Sequence, residues 1–373
     1  MNQGLDEKNR LLLLLWFVGY CVEFPKRLVV RIGGHPEWNR HVLYRALQDG
    51  YLELYRSSFR DRELRSLRLT SKGVDYIADR DVDLLNQVLA RMDSVTKSTR
   101  STPEKILRLH SRATGLIMAK AAGAHFLPGD KPPLLMSEFR HHSSITPQQG
   151  EVYFYTPAEV RSAIEEYEPD TVAKTSRIIG ILVRDDLVYF MYDSGYSRMY
   201  WLKSTEENAA VSIQTLLNSR GFAIQRRNQI VIGNNMSVPV KICRRRDGSK
   251  SRYFSLSDFF GSCYFVVNSR EGDALLSTII NPDRGAKVAI RALEGTKPPL
   301  NPTREYDAVD IRENRPVILN YQCDLMALTS VNPAPYGFVS GPILLCLDYQ
   351  VRALQEILGP MIEVRPMKGE FSL

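Results

Sequence analysis

The segment Leu11-Leu-Leu-Leu-Leu-Trp-Phe-Val-Gly-Tyr20 is apolar almost throughout and suits a buried scaffold helix. A short amphipathic segment follows, Pro25-Lys-Arg-Leu-Val-Val-Arg-Ile32, closed by Gly33-Gly34. Next comes Pro36-Glu-Trp-Asn-Arg-His-Val-Leu-Tyr-Arg-Ala-Leu-Gln-Asp49, ended by Gly50. Proline at the first helical position and glycine just past the last are start and stop signals. Tyr51-Leu-Glu-Leu-Tyr55 alternates as a strand does, and a charged tip runs from Arg56 to Arg65. Ser66-Leu-Arg-Leu-Thr70 returns into Ser71-Lys-Gly-Val-Asp-Tyr-Ile77, a closing helix. Three helices, a hairpin and a helix, in that order, read as a winged helix-turn-helix.

The geometry of a duplex explains why this order points to DNA. The major groove admits one α-helix. The third helix carries Asn39, Arg40, His41, Tyr44 and Arg45, with Trp38 near its start, while Val42, Leu43, Ala46 and Leu47 can face a core. Arg40 and Tyr44 are four residues apart, as are His41 and Arg45, so each pair shares a face. Arginine can pair in bidentate fashion with guanine, and asparagine with adenine. Arg56, Arg60, Arg62 and Arg65 of the wing are placed to meet phosphates, which set register and affinity rather than sequence. The competing reading is a set of solvated charges on a module used for protein contacts.

The bulk numbers are compatible with this. The 373 residues suggest two or three domains. Hydrophobic content of 44% and charged content of 24% are those of a globular chain. A formal net charge of +7 is a mild surplus, so the clustering in the wing says more than the total. Cys21, Cys243, Cys263, Cys323 and Cys346 are scattered and unpaired in spacing. That argues against a zinc site or a disulfide framework and for reduced thiols in a cytoplasmic protein. The run from Leu11 to Val22 is too short to span a bilayer, which needs about 20 apolar residues.

Three parts are expected along the chain: the winged module at 1–93, a linker with a connecting helix at 94–150, and an α/β domain at 151–373. Apolar residues at Val82, Leu84, Leu85, Val88 and Leu89 have a helical period. This helix could pack back on the module or serve as a homodimer arm. Ser94 to Pro103 is polar and reads as a linker, and a longer helix starts at Pro103. In the last part, Glu151 to Tyr155 reads as a strand, and Thr156 to Glu159 fits a capping box ahead of a helix. Strands are expected at Ser176–Val183, Leu187–Tyr192 and Met199–Leu202, then a helix from Glu206 to Leu217. Arg244 to Arg252 is a dense basic cluster that reads as a solvated hairpin tip.

Helix, three-stranded meander and helix is the order of restriction-type nuclease cores. Those carry an Asp on the second strand and a Glu-x-Lys on the third, so that two carboxylates hold Mg²⁺ and the lysine positions water. Here Asp193 follows the second strand and Lys203 ends the third, but Trp201 stands where the Glu belongs. Only one metal-binding carboxylate is in place, so the scaffold is expected to be degenerate, without metal or other cofactor. Glu206 or Glu207 could substitute for the missing Glu. There is no Gly-x-x-x-x-Gly-Lys-Ser/Thr loop and no Gly-x-Ser-x-Gly elbow. His141 and His142 are adjacent, point to different sides, and read as a loop contact.

Four stretches carry a resemblance. They are Leu67-Arg-Leu-Thr-Ser-Lys-Gly73, Ser111-Arg-Ala-Thr-Gly115, Phe154-Tyr-Thr-Pro-Ala-Glu-Val160 and Ser176-Arg-Ile-Ile-Gly-Ile-Leu182. The chain resembles the replication-relaxation family of plasmids and integrative conjugative elements. That resemblance implies an N-terminal winged helix and a C-terminal nuclease-like α/β domain. It also implies an accessory double-stranded DNA binder in replication or transfer (relaxation, conjugation) of a mobile genetic element, acting with a replication or transfer protein. The missing Glu at Trp201 makes the expected role non-catalytic. A winged-helix transcriptional regulator and a Mg²⁺-dependent nuclease are the alternatives.

Overall fold

The computed structural model describes residues 9–60, 62–93, 102–136, 145–167, 177–244, 252–299, 306–334 and 338–367. The protein is mixed α+β and divides into two compact units, Met1–Pro133 with Ser137–Thr146, and Leu134–Met136 with Pro147–Leu373. The polar stretch 94–101, the histidine pair at 141–142 and the basic tip at 245–251 lie outside the described residues. Among the described residues, no helix is long and apolar enough to cross a membrane.

The first unit is built around helix α1 (Arg10–Cys21), whose residues from Leu12 onward are all buried. The Asn9 side chain accepts from the Leu12 N–H and satisfies one of the open donors at its start. Trp16 stacks on Tyr20 at 4.6 Å and Phe17 on Phe126 at 5.8 Å. Each such aromatic or leucine contributes roughly 1.5–3 kcal/mol on burial. A helix surrounded on all sides has no polar face, which is why its sequence has none.

A short strand, β1 (Phe24–Pro25), follows. The segment expected as an amphipathic helix is a 3-10 helix, Lys26–Arg31. Six residues between a proline and Gly33-Gly34 leave room for little more than a turn or two. Gly34 sits at φ +63 with the Arg10 guanidinium packed where a Cβ would stand. Helix α2 (Pro36–Gln48) has His35 as its cap and ends before Gly50 at φ +74, as the Pro and Gly signals require.

Strands β2 (Leu52–Phe59) and β3 (Arg62–Leu69) pair in continuous antiparallel register, from Leu52 opposite Leu69 to Phe59 opposite Arg62. The expected charged tip is therefore mostly strand, with Arg60 in the turn between the two strands. Arg60 takes φ +46, the left-handed geometry a tight hairpin needs. β1 adds to the outer side of β3, giving the order β1-β3-β2.

Helix α3 (Ser71–Ala78) explains the Leu-Thr-Ser-Lys-Gly element. Thr70 Oγ1 accepts from the Gly73 N–H at 3.1 Å and donates to the Gly50 carbonyl at 2.7 Å. A Cβ on Gly73 would come within 2.4 Å of the Tyr51 carbonyl oxygen. Helix α4 (Val82–Asp93) packs back on α1 and α3. Leu84 and Val88 are buried, and Trp16 Nε1 donates to Gln87 at 3.0 Å.

Helix α5 (Pro103–Ala121) corrects an expectation. It is not a connector between domains: it belongs to the first unit and packs on α1, β1, β2 and β3. Ile106, Leu109, Ala113 and Leu116 to Ala119 are buried. Strands β2 and β3 need a cover on the face away from solvent, and α5 supplies it.

The second unit holds two five-stranded sheets. In the first, β4 (Tyr153–Tyr155), β5 (Gly180–Arg184), β6 (Leu187–Gly195), β7 (Arg226–Gly233) and β8 (Cys263–Val267) lie in sequence order. β4-β5-β6 are antiparallel, and β6-β7-β8 are parallel. Helix α6 (Pro157–Tyr167) follows β4 behind the expected capping box, with Thr156 N–H donating to Glu159 at 2.7 Å. Helices α7 (Lys203–Ser219) and α8 (Ser237–Arg244) make the crossovers that parallel strands require.

Met199–Leu202 is not the third strand of a meander. The Trp201 N–H donates to the Arg252 carbonyl, and the Phe254 N–H donates to the Met199 carbonyl, both at 2.9 Å. These residues pair with a distant loop and not with β6. The strand beside β6 is β7, reached through α7 and parallel to it.

Helices α9 (Arg270–Ile280) and α10 (Pro282–Ala292) lead to the other sheet. Its order is β13 (Glu363–Pro366), β12 (Ile343–Cys346), β11 (Pro316–Leu319), β10 (Ala308–Asp310) and β9 (Thr296–Lys297). Helices α11 (Leu325–Thr329) and α12 (Val351–Leu358) complete the unit. One apolar core joins both sheets, from Phe190 and Phe265 to Leu344 and Val364.

Candidate nucleic-acid interface

Helix α2 has two sides. Asn39, Leu43 and Ala46, spaced by four and three residues, are buried against the unit. Trp38, Arg40, His41, Tyr44 and Arg45 are exposed on the other side. The inward stripe fixes the helix, and the outward residues are left to solvent.

Asn39 is the correction among the expected base readers. It is 1% exposed. Its Nδ2 donates to the Gly33 carbonyl at 2.7 Å, and its Oδ1 accepts from Arg10 at 3.3 Å. Both ends of the amide are used to hold the turn before α2, so it has nothing to offer a base. Its type and position suggested adenine recognition, but one helical step decides between inside and outside.

The outward residues fall into two stripes. Glu37, Arg40, Tyr44 and Gln48 are tied to one another: Arg40 pairs with Glu37, and Gln48 Nε2 donates to the Tyr44 hydroxyl at 2.7 Å. Trp38, His41 and Arg45, at i, i+3 and i+7, form the second stripe. Trp38 is 65% exposed and Tyr44 61%, large apolar areas that nothing in the fold covers.

On the hairpin, Arg56 faces Arg65 directly across the strand pair. Like charges opposite one another are unfavourable. Glu63 offsets this, accepting from Arg65 Nε at 2.7 Å and lying 3.9 Å from Arg56. The hydrogen bond from Arg65 holds the Glu63 carboxyl below its usual range. Arg60 at the turn stacks over Phe59 at 5.1 Å, and Arg62 is exposed beside it. All four hairpin arginines are thus at the surface, with one carboxylate set among them. Glu63 and Glu37 were not singled out in the sequence, although an acid two or three residues from an arginine is a readable signal.

Of the residues expected to form a nuclease centre, Lys203 and Glu207 meet, while Asp193 and Glu206 have separate local partners. Asp193, at the end of β6, accepts from the Gly195 N–H at 2.9 Å and shapes its own turn. Lys203 opens α7 and lies 3.7 Å from Glu207. Glu206 is buried and accepts from the Arg177 N–H at 2.8 Å, and Glu207 accepts from Ser257 at 2.6 Å. Between them Trp201 is buried against Tyr192 and Phe254, with ring centroids 4.8 and 4.9 Å away. Among the described residues, no three His, Cys, Asp or Glu side chains are grouped to hold a metal ion. The five cysteines are free thiols. Burial pushes Cys21, Cys243 and Cys346 up to about 12.

Comparison with protein-family models, with curated proteins and with solved structures returned no match.

Proposed function

We propose that the first unit is a winged helix-turn-helix that binds double-stranded DNA, with α2 in the major groove and the β2–β3 hairpin on phosphates. The observation that carries this reading is the two-sidedness of α2. Its inward stripe is complete, while two arginines, a histidine and two aromatics face outward beside a hairpin bearing four exposed arginines. A helix about 20 Å long fits the groove, and arginines on a flanking hairpin are positioned to reach its rim. The packing of α2 against β2 supports the same reading, because it sets the hairpin beside the helix.

The role on a mobile element, assisting a replication or transfer protein, rests on the resemblance in four short stretches. For the second unit we favour assembly over cleavage, since Asp193 and Lys203 are each engaged locally and Trp201 is a buried core residue. The test is selection of bound sequences from a random duplex pool, with and without Mg²⁺. Recovery of one intact motif supports a non-cleaving binder, and a palindromic motif points to two copies. Its position at an origin, rather than upstream of a gene, separates the accessory role from a transcriptional one. No enrichment removes the DNA reading, and products nicked only with Mg²⁺ restore the nuclease.

A further inference from the structure

Trp38 has no structural task. It stands in the first turn of α2, 65% exposed, while neighbouring Asn39 is buried and anchors the helix. Two of the three tryptophans, Trp16 and Trp201, are fully buried core residues. An indole that stays in water forgoes the burial that usually places this residue. Resting on the DNA reading above, its position is the informative part. The N-terminal residues of a helix lying in the major groove are those that reach base edges.

In that groove the one apolar feature is the C5-methyl group of thymine. Trp38 shares its stripe with His41 and Arg45, so an apolar reader and two polar readers lie on one line. Trp38 and Arg45 are seven residues apart, about 10 Å along the helix axis. That spans about three base-pair steps of duplex.

We infer that Trp38 is a specificity-determining residue that recognises a thymine through its 5-methyl group, about three base pairs from the base contacted by Arg45. Glu37 lies on the adjoining stripe and is engaged with Arg40, so it does not set a charge against this contact. Tyr44 flanks the stripe, its hydroxyl held by Gln48, and its ring widens the apolar surface.

The test uses the full chain and the tightest duplex recovered by selection. Each thymine is replaced in turn by deoxyuridine, which keeps the pairing and removes only the methyl group. One substitution is expected to weaken binding about three- to fivefold, the effect of one buried methyl. Trp38→Ala should bind the parent duplex more weakly and show no further loss at that position. Protection of the exposed tryptophan from iodide quenching on adding the duplex is the second readout, since Trp16 and Trp201 are already shielded. Specific binding that no deoxyuridine weakens overturns the inference and leaves the DNA reading standing. So does a Trp38→Ala variant that keeps the wild-type loss. Absence of binding to any duplex overturns the DNA reading itself, and the inference with it.

Discussion

The imidazole of His110 meets the hydroxyl of Ser66 inside the first unit, Nε2 to Oγ at 2.6 Å, across 44 positions of sequence. Both residues are buried. This bond ties α5 to the middle of β3, one of the two strands of the basic hairpin. It is the clearest sign that α5 is part of the module it follows.

The burial of His110 makes the unit sensitive to acid. Burial, with the nearby Arg27 charge as a lesser cause, lowers the His110 pKa to about 4. Unfolded, a histidine titrates near 6.5. As pH falls, the unfolded chain takes up the proton first. The stability from keeping His110 neutral is therefore complete above about pH 7 and is lost between 6.5 and 4. The expected slope is at most about 1.4 kcal/mol per pH unit. Urea unfolding of the full chain at pH 7.5 and pH 5, compared with a Ser66→Ala, His110→Leu double variant, isolates it. Equal pH dependence in the two proteins would show that His110 does not carry it.

Gly73→Ala should loosen the β2–β3 hairpin from α3. The added methyl group would sit 2.4 Å from a backbone oxygen of Tyr51, which has no flexible side chain to give way. Overpacking of this kind costs about 1–3 kcal/mol. Thermal unfolding measures it, and an unchanged melting temperature would mean the contact is slack.

Trp201→Glu would complete the Glu-x-Lys spacing on paper. In the fold it places a carboxylate between Tyr192 and Phe254, where Trp201 is 1% exposed. We expect an unfolded second unit and no Mg²⁺-dependent cleavage. Trp201→Ala should cost about 3–5 kcal/mol. A well-folded Trp201→Glu protein that nicks supercoiled DNA with Mg²⁺ would contradict the assignment of Trp201 to the core.

Arg45→Ala should weaken binding to the selected duplex by about thirtyfold, the middle of the 1–3 kcal/mol range for a base-reading arginine. It should leave binding to unrelated duplex nearly unchanged.

Glu63→Gln acts in the opposite direction. It removes the carboxylate beside Arg56 and Arg65, so affinity for all duplexes should rise and the salt dependence should steepen. Fluorescence anisotropy over a salt series reads both variants. A Glu63→Gln protein with an unaltered salt slope would take the hairpin off the phosphates.

Local signals were legible where the chemistry is local. The unbroken apolar run of α1, the Pro36 start and Gly50 stop of α2 and the Thr156–Glu159 capping box all depend on residues within one or two turns of each other. The exposed arginines of the wing were legible too, because an alternating strand ending in charges has few places to bury them. The sequence by itself therefore determined helices α1 to α4, the β2–β3 hairpin, their order and the basic character of the hairpin, but not β1 or the 3-10 form of Lys26–Arg31.

Only the tertiary structure decided which residues those elements turn inward and which distant strands they join. Asn39 points into the unit because the Gly33 carbonyl and Arg10 wait for its amide. Helix α5 joins the first unit because Ser66 lies within reach of His110. Residues Met199 to Trp201 leave the sheet because Arg252 and Phe254 offer them a backbone partner. In each case the deciding contact lies more than five residues away along the chain. A short window holds its own periodicity and caps, but it holds no information about which remote donor or apolar face will be there when the chain closes on itself.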